Sequence, residues 1–289
     1  MGNRIRGRRA AGLAWGLVLL LLLFAPGSAA PSAWAEEETE APAAEEEEEP
    51  ELEGEAKKAH EREVKRIYKI LKTQKNRALV VSQINAIGAD GSRAARDALM
   101  KFAAGNKNQM FVHHCFQALA AIGGKRSIEF LCGKSALRSR DFLVQHSAAE
   151  ALAKAKDPRG TGPLLDVMTS KRTKIKVVGA CAIALGKSSG DDERAVETLF
   201  KYSKHRKDTI RSYAVEALGY LGTDEAIARL KEVIEGDKNT RVREYAALGL
   251  GHTKRPDVIP LLQAVAAEET AHTVRDACMR AIKEIQGGS

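Results

Sequence analysis

His113 and His146 stand 33 residues apart, and each is followed four residues later by a polar side chain, Gln117 and Glu150. On a helix, a four-residue step returns to the same face. Two imidazoles and a carboxylate carried by neighbouring helices are a ligand set suited to Zn²⁺ or a similar divalent ion. On spacing alone, His113, His146 and Glu150 are therefore the candidate metal site, with a merely polar helix surface as the competing reading. Nothing else points to catalysis. The sequence holds no G-x-S-x-G, no H-E-x-x-H, no C-x-x-C and no phosphate-binding loop, and Gly123-Gly124-Lys125 lacks the spacing of one. No enzyme activity and no cofactor are expected.

Positive charge is the second chemical resource. Lys75 and Arg77, Lys107, Arg138 and Arg140, then Lys171, Arg172 and Lys174, then Lys204, Arg206 and Lys207, and last Lys238 and Arg241 form six clusters between apolar runs; Glu268 and Glu269 occupy the seventh such place. A ridge of one sign raises the local concentration of anions and favours acidic partners. Arg138, Arg140, Lys171, Arg172, Lys174, Lys204, Arg206 and Lys207 are the candidate partner contacts. The expected partner is an acidic protein; a non-protein polyanion such as nucleic acid or acidic polysaccharide is the alternative.

Such residues work together only if the chain repeats. It does: the stretch 209–230, TIRSYAVEALGYLGTDEAIARL, recurs in register, and the position of Gly219 returns at Gly88, Ala120, Ala153, Gly186, Gly251 and Lys283, every 32 or 33 residues. Self-similarity at that period signals a solenoid. Within each repeat, apolar residues at three- and four-residue steps predict two helices, the second narrowed by alanine and glycine. The first helices are expected near 55–73, 91–103, 126–136, 159–169, 191–203, 223–235 and 256–267. The second are expected near 77–88, 109–123, 142–155, 174–187, 209–221, 240–252 and 272–285. Every turn from first to second helix then falls on one edge, which gathers the basic clusters. The fold class is all-α, a right-handed α-solenoid of about seven helix hairpins.

The rest of the chain differs in material. Arg4, Arg6, Arg8 and Arg9 precede an apolar run from Ala10 to Ala25, too short for the roughly 20 residues of a membrane span. Ala33-Trp34-Ala35 then supplies an A-x-A exit, so 1–35 reads as a secretory signal peptide and the protein as exported, periplasmic or extracellular; an uncleaved anchor is the alternative. Residues 36–56 carry 12 glutamates and no basic residue. They are expected to form an acidic disordered linker. Beyond it, 42 Lys and Arg face 26 Asp and Glu, so residues 57–289 carry a net charge of +16 behind an overall +8. The linker reaches about 70 Å when extended, which makes an intramolecular contact with the basic ridge an expected partner as well. Four cysteines, Cys115, Cys132, Cys181 and Cys278, are expected as free thiols, three of them in one inward column and Cys132 in an outward one.

The pattern VRxxAxxALGxxG followed by AIxxL resembles HEAT repeats, in particular the short HEAT-like repeats associated with phycobilisome bilin lyases. The resemblance spans about 57–285 and is clearest in the last three repeats, where Ile210-Arg211, Val242-Arg243 and Val274-Arg275 match the motif's Val-Arg, and Asp208 and Asp237 its turn acid. It implies a scaffold that recognises proteins, with Arg and Asp side chains stacked as a ladder between repeats. Val80, Val112, Gln145 and Val178 replace the arginine in the first four repeats, so no regular ladder is expected there. HEAT-like hydroxylases carry several His-Glu pairs for iron, whereas this chain has only His60-Glu61. A bilin lyase-like or metal-dependent enzyme is the third functional reading.

Overall fold

A computed structural model describes residues 49–190 and 192–287. The expected signal peptide and most of the acidic linker lie outside them. The chain divides at Pro50/Glu51 into two units, and the second holds the helices of the described residues. These are α1 (Gly54–Thr73), α2 (Arg77–Asp90), α3 (Arg93–Ala104), α4 (Gln109–Ile122), α5 (Gly124–Cys132), α6 (Phe142–Ala155), α7 (Thr161–Thr169), α8 (Ile175–Ser188), α9 (Glu193–Tyr202), α10 (Asp208–Leu221), α11 (Asp224–Gly236), α12 (Thr240–His252), α13 (Ile259–Glu268) and α14 (His272–Ile285). No strand occurs among the described residues, and none of their helices is long and apolar enough to cross a membrane. The fold is an all-α repeat fold.

Even-numbered helices pack on one another in chain order, α2 on α4, α4 on α6 and so on to α14, and each odd-numbered helix packs on the even one that follows it. The column of small residues explains the close even row. A Cβ on Gly219 would lie 2.2 Å from the Gly249 carbonyl oxygen, and one on Gly186 would lie 2.3 Å from that of Ala217. No single hairpin buries its apolar stripe; stacking merges the stripes into one core that runs from Ile67 to Ile282.

Local chemistry sets the helix starts. Asn76, Asn108, Asp141 and Asn239 cap α2, α4, α6 and α12 by accepting backbone amide hydrogens of the first turn. The largest departure from expectation is α5, which stops at Cys132 rather than near 136. Beyond it the Gly133 amide donates to Phe130, and the chain doubles back so that the Leu137 amide donates to the Leu131 carbonyl at 3.0 Å. Ala136 and Leu137 are thus buried from a turn, where they imitate helical periodicity without belonging to it. Cys132 is buried rather than outward for the same reason. All four cysteines are free and buried. Burial pushes the thiols of Cys115 and Cys181 up to about 12, and those of Cys132 and Cys278 up to about 11.

Candidate functional site

The odd-to-even turns lie side by side because the even helices do, and two hydrogen bonds tie neighbouring turns directly. Gln109 Nε2 donates to Asp141 Oδ2 at 2.9 Å, and Asn239 Nδ2 donates to Asp208 Oδ2 at 2.6 Å. The basic residues expected on this edge are all exposed: Arg138, Arg140, Lys171, Arg172, Lys174, Lys204, Arg206 and Lys207. Their backbones are fixed while their side chains stay out in solvent. Thr173 Oγ1 donates to the Val167 carbonyl at 2.6 Å and folds the Lys171–Lys174 turn onto α7. His205 stacks on Tyr202, takes the Lys207 amide hydrogen on Nδ1 at 3.0 Å, and gives its carbonyl to Arg211 Nη1 at 2.7 Å.

The cations of this edge are mostly unpaired among the described residues, as are exposed cations elsewhere such as Arg62, Lys65 and Lys154, but here they are crowded together. Away from the edge, Arg159, Arg194, Arg229 and Arg255 each hold a carboxylate. On it, Arg138 lies 3.3 Å from Asp166, in a pair exposed on both sides. The side chains of Arg140, Lys171, Arg172, Lys174, Lys204, Arg206 and Lys207 have no acid within ion-pair distance among the described residues. Ile175, Arg206, Lys207, Asp208, Thr209, Arg211, Lys238 and Asn239 line a shallow hollow of about 560 Å³ on the same edge.

Beneath the last turns runs a guanidinium ladder. Arg211 bonds Asp237 through Nε at 2.6 Å and Nη2 at 3.0 Å, and Arg243 bonds Glu269 in the same way at 2.7 and 3.0 Å. Each also donates from Nη1 to a carbonyl six residues back, as Arg275 does to Glu269. The ladder acids are therefore Asp237 and Glu269. Asp208, which the motif assigns to that role, instead accepts from Asn239 and from the Thr209 amide. Arg243, first, and the Ala271 amide hold the Glu269 carboxyl at about 2, against an ordinary 4.5. In the arginine column, Val80, Val112 and Val178 are buried, and Gln145 keeps one polar contact, from Nε2 to the Leu137 carbonyl at 3.2 Å.

The structure brings His113, His146 and Glu150 together on α4 and α6. His146 Nδ1 lies 3.3 Å, and His113 Nδ1 3.7 Å, from the same Glu150 oxygen, and His113 Nδ1 is 3.3 Å from Ser147 Oγ. Hydrogen bonding from His146, then the histidine charges, hold the Glu150 carboxyl below its usual range. His146 Nδ1 is within hydrogen-bonding reach of Glu150, whereas His113 Nδ1 lies beyond it and is nearer Ser147 Oγ. Among the described residues, no group of three or more His, Cys, Asp or Glu is arranged to hold a metal ion. His60 bonds Asp97 at 3.0 Å, so the one His-Glu dipeptide joins α1 to α3.

Sequence reasoning missed a polar network at the opposite ends of the even helices. His252 stacks on Tyr220 at 4.2 Å and reaches Glu284 at 3.2 Å, while Lys187 Nζ sits 4.4 Å above the Tyr220 ring. Burial, then Glu216 and Glu284, push the Tyr220 hydroxyl up to about 12. These residues share one column of the repeat, the only signal that announces them.

Residues 196–283 match the family model for HEAT repeats. Two solved structures are similar to the chain. The complex of CpcE and CpcF of phycocyanin lyase from Nostoc sp. is 17% identical, with 85% of this chain and 98% of that chain covered and a TM-score of 0.48. Human deoxyhypusine hydroxylase, in complex with glycerol, is 18% identical, with 80% and 98% covered and a TM-score of 0.37. No curated protein matches the chain.

Proposed function

We propose that this repeat protein is an exported, non-catalytic adaptor that holds an acidic protein partner along its basic edge. One observation carries the reading: seven exposed cations crowd three adjacent turns with no acid partner among the described residues, so positive charge is concentrated there without neutralisation. Exposed, unpaired charge of one sign speeds encounter and selects the sign of the partner. The HEAT-repeat match over 196–283 supports protein recognition as the class of function.

The test compares the protein with a variant in which Lys171, Arg172, Lys174, Lys204, Arg206 and Lys207 are changed to Gln. Retention of a discrete acidic protein from its own envelope extract by the first, and loss by the second, is the expected result. Equal retention by both moves the site off the edge. Retention of nucleic acid or polysaccharide alone, falling linearly with salt on a log–log plot, replaces the protein partner with a polyanion.

A further inference from the structure

Seven large apolar side chains are substantially exposed among the described residues, and five of them fall in the first turns of consecutive even-numbered helices, at three neighbouring positions of the repeat. Leu79 (50%), Met110 (42%), Phe142 (40%), Leu143 (40%) and Ile175 (37%) all lie in the first turns of α2, α4, α6 and α8. Exposed apolar residues are ordinary when scattered singly. A row carried by four consecutive even helices is not scattered. Those first turns follow the odd-to-even turns directly, so the row runs beside the cations, and Ile175 lines the same hollow as Arg206 and Lys207. The row then ends: α10 opens with Asp208-Thr209 and α12 with Thr240-Arg241. The cations continue to Lys238. The edge thus has an apolar strip over its first four repeats and a basic strip along six.

We propose that this edge takes an extended acidic segment of a protein partner, whose apolar side chains dock one per repeat on Leu79, Met110, the Phe142–Leu143 pair and Ile175. The inference rests on the acidic-partner reading above and specifies its chemistry. Unpaired cations call for carboxylates, and exposed apolar groups beside them call for apolar anchors on the same ligand. Packed helices stand about 10 Å apart, and an extended chain in the polyproline-II conformation advances about 3.1 Å per residue and turns once every three residues, so every third side chain faces the same way. An apolar residue at every third position therefore meets successive repeats. The chain's own acidic stretch at 36–56 has one large apolar residue, Leu52, and does not fit. A bilayer supplies charge and apolar depth but no register.

The probes are two synthetic peptides of equal length and charge, one of repeated Ile-Glu-Asp and one of repeated Gly-Glu-Asp, titrated against the protein by fluorescence anisotropy. The isoleucine peptide is expected to bind about tenfold tighter or more. That gap closes in the combined variant Leu79→Ser, Met110→Ser, Leu143→Ser and Ile175→Ser, while its affinity for the glycine peptide and its helical circular dichroism stay as they were. Equal affinity of the two peptides for the unaltered protein overturns the apolar docking and leaves the acidic-partner reading standing. Failure of both to bind at low salt overturns that reading as well. Equal peptide binding, together with capture by phosphatidylserine–phosphatidylcholine vesicles that the serine variant loses, replaces the peptide with a membrane surface.

Discussion

Glu269 shows how one carboxylate can make a repeat protein sensitive to acid. It accepts two hydrogen bonds from Arg243 and one from the Ala271 amide, and its carboxyl is held at about 2 rather than 4.5. A folded-state value below the unfolded one means that its stabilisation is complete above about pH 4.5 and is lost as the pH falls towards 2. Urea unfolding across that window should show the unaltered protein losing more stability than Glu269→Gln, which starts lower and changes less. Equal slopes would remove Glu269 from the acid response. The turn acid of the last ladder rung was hidden in the sequence. The motif led to Asp208 and Asp237, yet only Asp237 pairs with a ladder arginine, because the guanidinium of Arg211 spans 26 residues to the next turn rather than bonding its own. Glu268 and Glu269 read as a break in the basic ridge, whereas Glu269 is already spent on Arg243.

Helices were legible where small residues recur at a fixed interval, because the even row needs them for close approach. Gly219 is the sharpest case, and its substitution by alanine places a methyl carbon 2.2 Å from the Gly249 carbonyl oxygen. That backbone has no side chain to swing away, so α10 and α12 must separate, at about 1–3 kcal/mol. Chemical denaturation of Gly219→Ala should show a loss in that range. Gly162→Ala, with nothing within 4 Å of the added carbon, is the control. The end of α5 was not legible, since a buried turn residue such as Leu137 satisfies the same apolar count as a helical one. Nor was the exposed strip on α2, α4, α6 and α8. Periodicity reports which face of a helix is apolar, while exposure in the first turn depends on how far the neighbouring repeat reaches.

For the molecule as a whole, the repeat and the basic edge could be read from the sequence, and the free state of the cations could not, because pairing depends on which acids the turns bring near. The stack brought the candidate metal trio together, with His146 nearer to Glu150 than His113 is. In a stack, each repeat answers mainly to its two neighbours. Arg211 and Arg243 bolt the fifth, sixth and seventh hairpins to one another, while the first four join through apolar contact and single polar bonds such as Gln109–Asp141 and Arg138–Asp166. Pulled between its ends, such a chain should not give way evenly. Hairpins before α9 should yield one at a time in short steps, and the stretch 208–285 should resist and then rupture as one block. Single-molecule extension would record that final long step in the unaltered protein. In Arg211→Ala it should divide, and an undivided step there would show that the guanidinium bolt is mechanically idle.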